Sequence, residues 1–149
     1  MIVFTVYGEP TPKGRPKFFS RTMKNGKSFT GTYTPDKTRR AEEDFLSQAL
    51  KVVPEMPLTG PLAVTFDVYR SKGMPKTRKG HEEAEKGFIR PVTKPDLDNY
   101  IKVLDALNGV MWVDDGQIVE ITARKFFSSR PRIEVSISEM VATGDMVND

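Results

Sequence analysis

Residues 94–117 concentrate carboxylates: Lys94-Pro95-Asp96-Leu97-Asp98-Asn99 opens the stretch, Lys102 follows, and Trp112-Val113-Asp114-Asp115-Gly116-Gln117 closes it. Like charges held a few ångströms apart repel, and a fold relieves the repulsion only by protonating one carboxyl or by binding a cation. The hard-cation solution is Mg²⁺ or Mn²⁺, which takes oxygen ligands and keeps positions open for water and a substrate phosphate.

The elements that must position these groups are legible from periodicity. Leu97, Tyr100, Ile101, Leu104 and Leu107 recur at spacings of three and four, which predicts one helix through Asn108 with a buried stripe. Asp98, Lys102 and Asp105 fall on another face of that helix, with Asp96 and Asp98 in its first turn. Asn108-Gly109 supplies the stop, and Asp114-Asp115 returns on the loop after the apolar run 110–113. Each acid also has a simpler role open to it. Asp96 could cap the helix, Asp98 could pair with Lys102, and Asp115-Gly116 could be only a turn. A turn does not need two adjacent aspartates, however, nor a cap a second carboxylate two residues on.

These motifs, with Asp105-Ala106-Leu107-Asn108-Gly109 and Gln117-Ile118-Val119, resemble the RusA family of Holliday junction resolvases of bacteria, phages and prophages. Weaker similarity extends to Gly8-Glu9-Pro10-Thr11-Pro12-Lys13-Gly14-Arg15-Pro16 and to Arg132-Ile133-Glu134-Val135-Ser136-Ile137. The resemblance implies a small homodimeric, Mg²⁺-dependent endonuclease acting on four-way DNA junctions. It assigns the catalytic, metal-binding aspartates to Asp96, Asp98 and Asp115, the essential lysine to Lys102, and a neighbouring acidic position to Asp114. Lys94-Pro95 departs from the arginine run that some members carry there.

Composition sets the frame. A chain of 149 residues suits one domain with its own core, here taken as the whole of 1–149 with a frayed tail at 140–149. It has no cysteine, so disulfides and thiolate zinc sites are excluded. No apolar run is long enough to span a membrane, and Met1-Ile2-Val3-Phe4-Thr5 begins like a strand rather than a signal peptide, so the cytoplasm is expected. Net charge is only +3, but residues 11–40 hold nine Lys/Arg against the single acid Asp36. Residues 71–94 hold seven against three glutamates. Two basic segments on an acidic body suit a polyanion, because Lys/Arg contacts to phosphates release condensed counterions. Lys13, Arg15, Lys17, Arg39, Arg40 and Lys94 are the candidate DNA contacts. Phe18, Phe19, Phe29 and Tyr33 lie among the cations of the first segment, where rings could stack on exposed bases or simply pin the loop to the core.

In chain order, residues 2–7 read as a strand, 8–34 as a long loop, and Thr34-Pro35-Asp36 as the start of a helix carrying Ala41, Phe45, Gln48 and Ala49 on one side. Residues 62–70 form a strand, and 71–94 a second loop with a short helix around 81–86 and the lone His81 at the surface without a partner. Strands at about 117–127 and 132–138 close the chain as a hairpin turned by Ser128-Ser129-Arg130-Pro131. The expected order β-α-β-α-β-β is an α+β domain, a mixed and mostly antiparallel sheet with two helices on one face. An EF-hand fails, since Gly116 at its sixth place would put Met111 and Val113 at ligand positions, and no P-loop pattern occurs. A Glu-x-Lys or Asp-x-Lys pair on a strand after the acidic cluster, expected of restriction-endonuclease-like nucleases, is also missing. The expectation is therefore metal-dependent phosphodiester hydrolysis on branched DNA, with a non-catalytic DNA-binding module as the rival.

Overall fold

The alternation of the strand Leu62–Arg70 (β4) is strict: Leu62, Val64, Phe66 and Val68 are almost wholly buried, with half-buried Ala63, Thr65, Asp67 and Tyr69 between them. A strand with that much apolar surface on one face belongs at the centre of a sheet. The structure, a computed structural model describing residues 1–12, 17–33 and 36–140, places it there. β4 is flanked by Ile118–Phe127 (β5), which runs parallel to it, and by Arg132–Glu139 (β6), which runs antiparallel. Ile2–Tyr7 (β1) adds to the far side of β6, giving the order β1-β6-β4-β5.

This corrects the expected terminal hairpin. β5 and β6 are consecutive in sequence but do not pair, because β4 lies between them. The connection at 128–131 crosses the end of β4, where the Ser128 amide donates to the Arg70 carbonyl at 3.0 Å. β5 presents Glu120, Thr122 and Arg124 to solvent, a pattern that suits an edge and not the centre. The α+β class stands, and the sheet is mixed as expected.

A second correction concerns the loop expected at 8–34. Lys17–Thr22 (β2) and Ser28–Tyr33 (β3) pair as a separate antiparallel ribbon rather than a structureless loop. Gly26 closes its turn at φ +79°, a backbone region that glycine enters without steric cost.

Asp36–Ala49 (α1) packs Phe45 and Ala49 onto β1, with Phe45 edge-on to Phe4 at 5.3 Å between ring centres. Thr34 and Pro35 at the expected helix start lie outside the described residues, as does nearly all of the expected frayed tail, 141–149. Arg78–Glu85 (α2) starts earlier than the sequence suggests, because Thr77 Oγ1 accepts from the Gly80 amide at 3.1 Å and caps it. His81 is not partnerless: helical spacing brings its Nε2 to 3.8 Å from Glu85.

The acid-bearing helix is shorter and tighter than its periodicity suggests. Leu97–Ile101 (α3) is a true α-helix of five residues, and Lys102–Leu107 continues as a 3₁₀ turn. Because 3₁₀ geometry repeats every three residues, Val103 joins Tyr100, Leu104 and Leu107 in the core, while Leu97 and Ile101 are only partly buried. Asn108 and Gly109, the latter at φ +79°, end it as expected.

Trp112 seals the return. It has no exposed surface, and its indole Nε1 donates to Asn108 Oδ1 at 2.7 Å. Replacing it leaves a large cavity and an unpaired acceptor, so Trp112→Ala should cost about 3–5 kcal/mol of unfolding free energy in chemical denaturation.

Candidate functional site

The acidic segments are held by polar contacts reaching far along the chain. Upstream, three successive carbonyls of the approach to α3 are captured from the sheet. Lys125 Nζ donates to Thr93 O at 3.1 Å and to Pro95 O at 3.2 Å, and Arg70 Nη1 donates to Lys94 O at 2.9 Å. The Lys94–Pro95 peptide bond is cis. Beneath this, the Glu9 carboxylate accepts from the Ser71 amide and hydroxyl and from the Lys72 amide, tying the end of β1 to the loop that follows Arg70.

Asp96 takes the N-cap position of α3, yet its side chain makes no capping bond. The capping role open to it in sequence is therefore not taken. Asp98 stands in the first turn and is exposed. The Asp98–Lys102 pair that was the simpler role open to Asp98 is not formed, because Lys102 Nζ donates to Asn99 Oδ1 at 3.3 Å instead. In a chain turning from α to 3₁₀ at this point, residues three apart are the closer neighbours.

Downstream, main-chain bonds from Met111 N to Leu107 O (2.9 Å) and from Gly109 N to Trp112 O (2.7 Å) fold the chain back on itself. Asp114 and Gln117 then form a capping box around the short turn Asp115–Gln117: Asp114 Oδ2 accepts from Gly116 N at 3.0 Å, and Gln117 Oε1 accepts from Asp114 N at 2.9 Å. The Gln117 amide nitrogen donates in turn to Leu58 O at 2.8 Å and Gly60 O at 3.0 Å, anchoring the turn to the strand-side loop. Asp114 is thus engaged in building the turn, and Asp115 is the carboxylate it displays.

The fold delivers Asp115 to Asp105. Partial desolvation, a side-chain hydrogen bond with Asp105, and the charges of Asp114 and Asp105 together push the Asp115 carboxyl above the ordinary aspartate range. The two carboxyls lie close enough for their charges to act on each other, so this pair carries the crowding that the sequence implies. Asp105 was legible only as a member of the Asp98–Lys102 face; its partnership with Asp115 depends on the chain reversal, which periodicity does not encode.

Arg70, Lys125 and Gln117 were also not singled out in sequence. A signal exists for two of them. Arg70 continues the inward parity 62, 64, 66, 68 of β4, and Lys125 pairs in register with Val68 on the same face, so each is a cation aimed inward from an apolar strand.

Of the candidate DNA contacts, Lys94 is exposed, and Arg39 and Arg40 are exposed near the start of α1. Arg39 is paired with Asp36 at 2.7 Å, which answers part of the unfavourable placement of cations at a helix start. Lys13 and Arg15 lie outside the described residues, and so do the side chains of Lys17, Phe18, Phe19, Phe29 and Tyr33.

Residues 7–138 match the protein family described as endodeoxyribonuclease RusA. The chain belongs to the RusA endodeoxyribonuclease family. It is also 42% identical over 144 residues to the uncharacterized protein YqaN of Bacillus subtilis strain 168, a match spanning 95% of this chain and 98% of that one. No helix among the described residues is long and apolar enough to cross a membrane.

Nuclease families of this kind imply a divalent metal. The donor chemistry fits a hard cation, since Asp96, Asp98, Asp105, Asp114 and Asp115 offer only carboxylate oxygens and Asp115 is crowded by negative charge. The arrangement is open: among the described residues no three acidic or histidine side chains converge as a metal-holding group, so Asp96 and Asp98 are not drawn into a trio with Asp115.

The raised Asp115 carboxyl has a consequence for stability. A carboxyl whose folded-state pKa exceeds its unfolded one binds its proton more tightly when folded, so its ionisation destabilises the fold. In metal-free buffer Asp115→Asn should therefore melt above the wild type at neutral pH. The advantage should shrink as pH falls through the raised Asp115 value and vanish near the ordinary aspartate pKa of about 3.9.

Proposed function

We propose that this protein is a Mg²⁺-dependent, structure-specific endonuclease that resolves four-way DNA junctions by paired symmetric nicks, serving recombination and repair. The observation that carries the proposal is the reversal that sets Asp115 against Asp105 in a RusA-family chain whose Asp96 and Asp98 side chains are left free of capping and of Lys102. A fold that needed only a cap and a turn would use these acids as such.

In this reading Asp96, Asp98 and Asp115 would hold Mg²⁺, or Mn²⁺ in its place, the ion drawing the three carboxylates together from the open arrangement described above. A bound ion would supply Lewis-acid polarisation of the scissile phosphate and would make an attacking water more acidic. Lys102, exposed and held among the described residues by Asn99, balances charge on the phosphate and helps to place the water. The Asp114–Gln117 turn keeps the Asp115 carboxylate in place without spending it on a cap. Lys94, Arg40 and the other basic residues of the two cationic segments neutralise phosphates of the junction arms and set the register of the substrate. Two symmetric nicks call for two sites related by a two-fold axis, which a homodimer supplies. Products carry a 5′-phosphate and a 3′-hydroxyl.

The test is cleavage of a synthetic four-way junction in Mg²⁺, with a fork, a flap and a linear duplex alongside. Wild type should nick opposite strands of the four-way junction symmetrically. Asp98→Asn and Asp115→Asn should each lose at least about 10²-fold in rate while still retarding the junction on a gel. Wild type that binds the junction but cuts it in neither Mg²⁺ nor Mn²⁺ would make the protein a non-catalytic binding module. Faster cutting of forks or flaps would move the proposal to other branched DNA.

A further inference from the structure

The polar clamp on residues 93–95 is more than local tidying. Arg70 ends β4 and is only 8% exposed, and no carboxylate partner accounts for its burial among the described hydrogen bonds. Its guanidinium donates to Lys94 O at 2.9 Å and through Nε to Lys72 O at 3.1 Å. Lys125, on the neighbouring parallel strand and in register with Val68, adds donations to Thr93 O and Pro95 O. Two cations from two adjacent strands thus take three consecutive carbonyls, and the next residue along is Asp96.

Burying a cation to satisfy carbonyls is a poor way to gain stability, because well-packed apolar side chains of similar volume commonly serve as well or better. What such donors do supply is direction. A guanidinium fork fixes its acceptors in a plane, and a lysine ammonium can hold two acceptors at once. With the carbonyls of 93, 94 and 95 turned into the sheet end, the start of α3 is fixed relative to β4 and β5. α3 is only five residues long and could not hold its own orientation by helix length. Tyr100, buried on α3, lies near Arg70 as well; burial pushes its phenol up, and the Arg70 charge offsets part of that.

We infer that Arg70 and Lys125 are positioning residues of the nuclease site, a two-cation clamp on the Thr93–Pro95 carbonyls that fixes where the first turn of α3 presents Asp96 and Asp98. The inference rests on the proposed catalytic role of those aspartates. Neither cation needs to touch DNA. They act through the backbone, and a displacement of the order of 1 Å at a reacting group is enough to cost about 10²-fold in rate.

The test uses Lys125→Met, Lys125→Arg, Arg70→Met and Arg70→Lys in the full chain, assayed on a four-way junction beside wild type and Asp98→Asn. Lys125→Met keeps the aliphatic stem of a half-buried side chain and so retains packing. It should lower kcat about 10²-fold with the junction Kd and melting temperature close to wild type, and Lys125→Arg should recover part of the rate. Arg70→Met should behave likewise, with Arg70→Lys intermediate; if either Arg70 variant does not fold, the Lys125 pair decides. Wild-type kcat in folded Lys125→Met overturns the clamp. So does a loss confined to junction affinity, which would make Lys125 a DNA contact. A wild type that fails to cut at all, like Asp98→Asn, instead removes the nuclease reading on which the inference rests.

Discussion

The structure turns on a chain reversal that brings the exposed Asp115 carboxylate near Asp105, with Asp114 alongside, so that their charges raise its pKa. Carboxylates do not assemble unaided. Here the reversal after the 3₁₀ turn forces them together, and Trp112 locks the reversal by filling the core and closing a bond to Asn108. Gln117 completes the hold with an amide that serves Asp114 on one side and Leu58 and Gly60 on the other. The repulsion costs stability, and the surrounding packing and hydrogen bonds offset it.

The other arm follows the same logic with different means. Asp96 and Asp98 sit on a helix too short to be rigid alone, and the sheet supplies the rigidity through Arg70 and Lys125. β4 is therefore both the core strand and the reference for the site, with its apolar residues holding the layer of helices and its terminal arginine reaching across to the acidic segment. The opposite face of the sheet is finished without such demands. Arg124 forms a two-pronged pair with Asp67 at 2.7 and 2.8 Å, and Tyr69 stacks on Phe126 with Arg132 and Arg90 over their outer faces.

Much of this was legible in the sequence, for physical reasons. Strict alternation at 62–70 announces a strand buried on one face, and three-to-four spacing at 97–107 announces a buried stripe. Both signals are local. What stayed hidden is non-local: the insertion of β4 between β5 and β6, which needs pairing partners rather than propensity, and the meeting of Asp105 with Asp115, which needs the Trp112 reversal. The ribbon at 17–33 was hidden differently. Its twelve paired residues, Lys17-Phe18-Phe19-Ser20-Arg21-Thr22 and Ser28-Phe29-Thr30-Gly31-Thr32-Tyr33, hold only two cations and one glycine and favour strands, but the Gly, Pro and Lys of the flanking 8–16 and 23–27 make the whole stretch read as a loop. The passage from α to 3₁₀ at Lys102 likewise leaves no mark in periodicity and is visible only in which side chains Lys102 meets.

If the acidic cluster is kept in repulsion so that a cation can relieve it, the most direct measurement is thermal unfolding of the DNA-free protein against increasing Mg²⁺ or Mn²⁺ at constant ionic strength. A ligand that binds only the folded state raises the melting temperature in proportion to the logarithm of its excess over Kd. The wild-type melting temperature should keep rising with the logarithm of metal concentration above Kd, and that of Asp115→Asn, whose metal-free melting temperature starts higher, should rise much less. Equal shifts in the two proteins, or none in either, would contradict the claim that this cluster is a metal site.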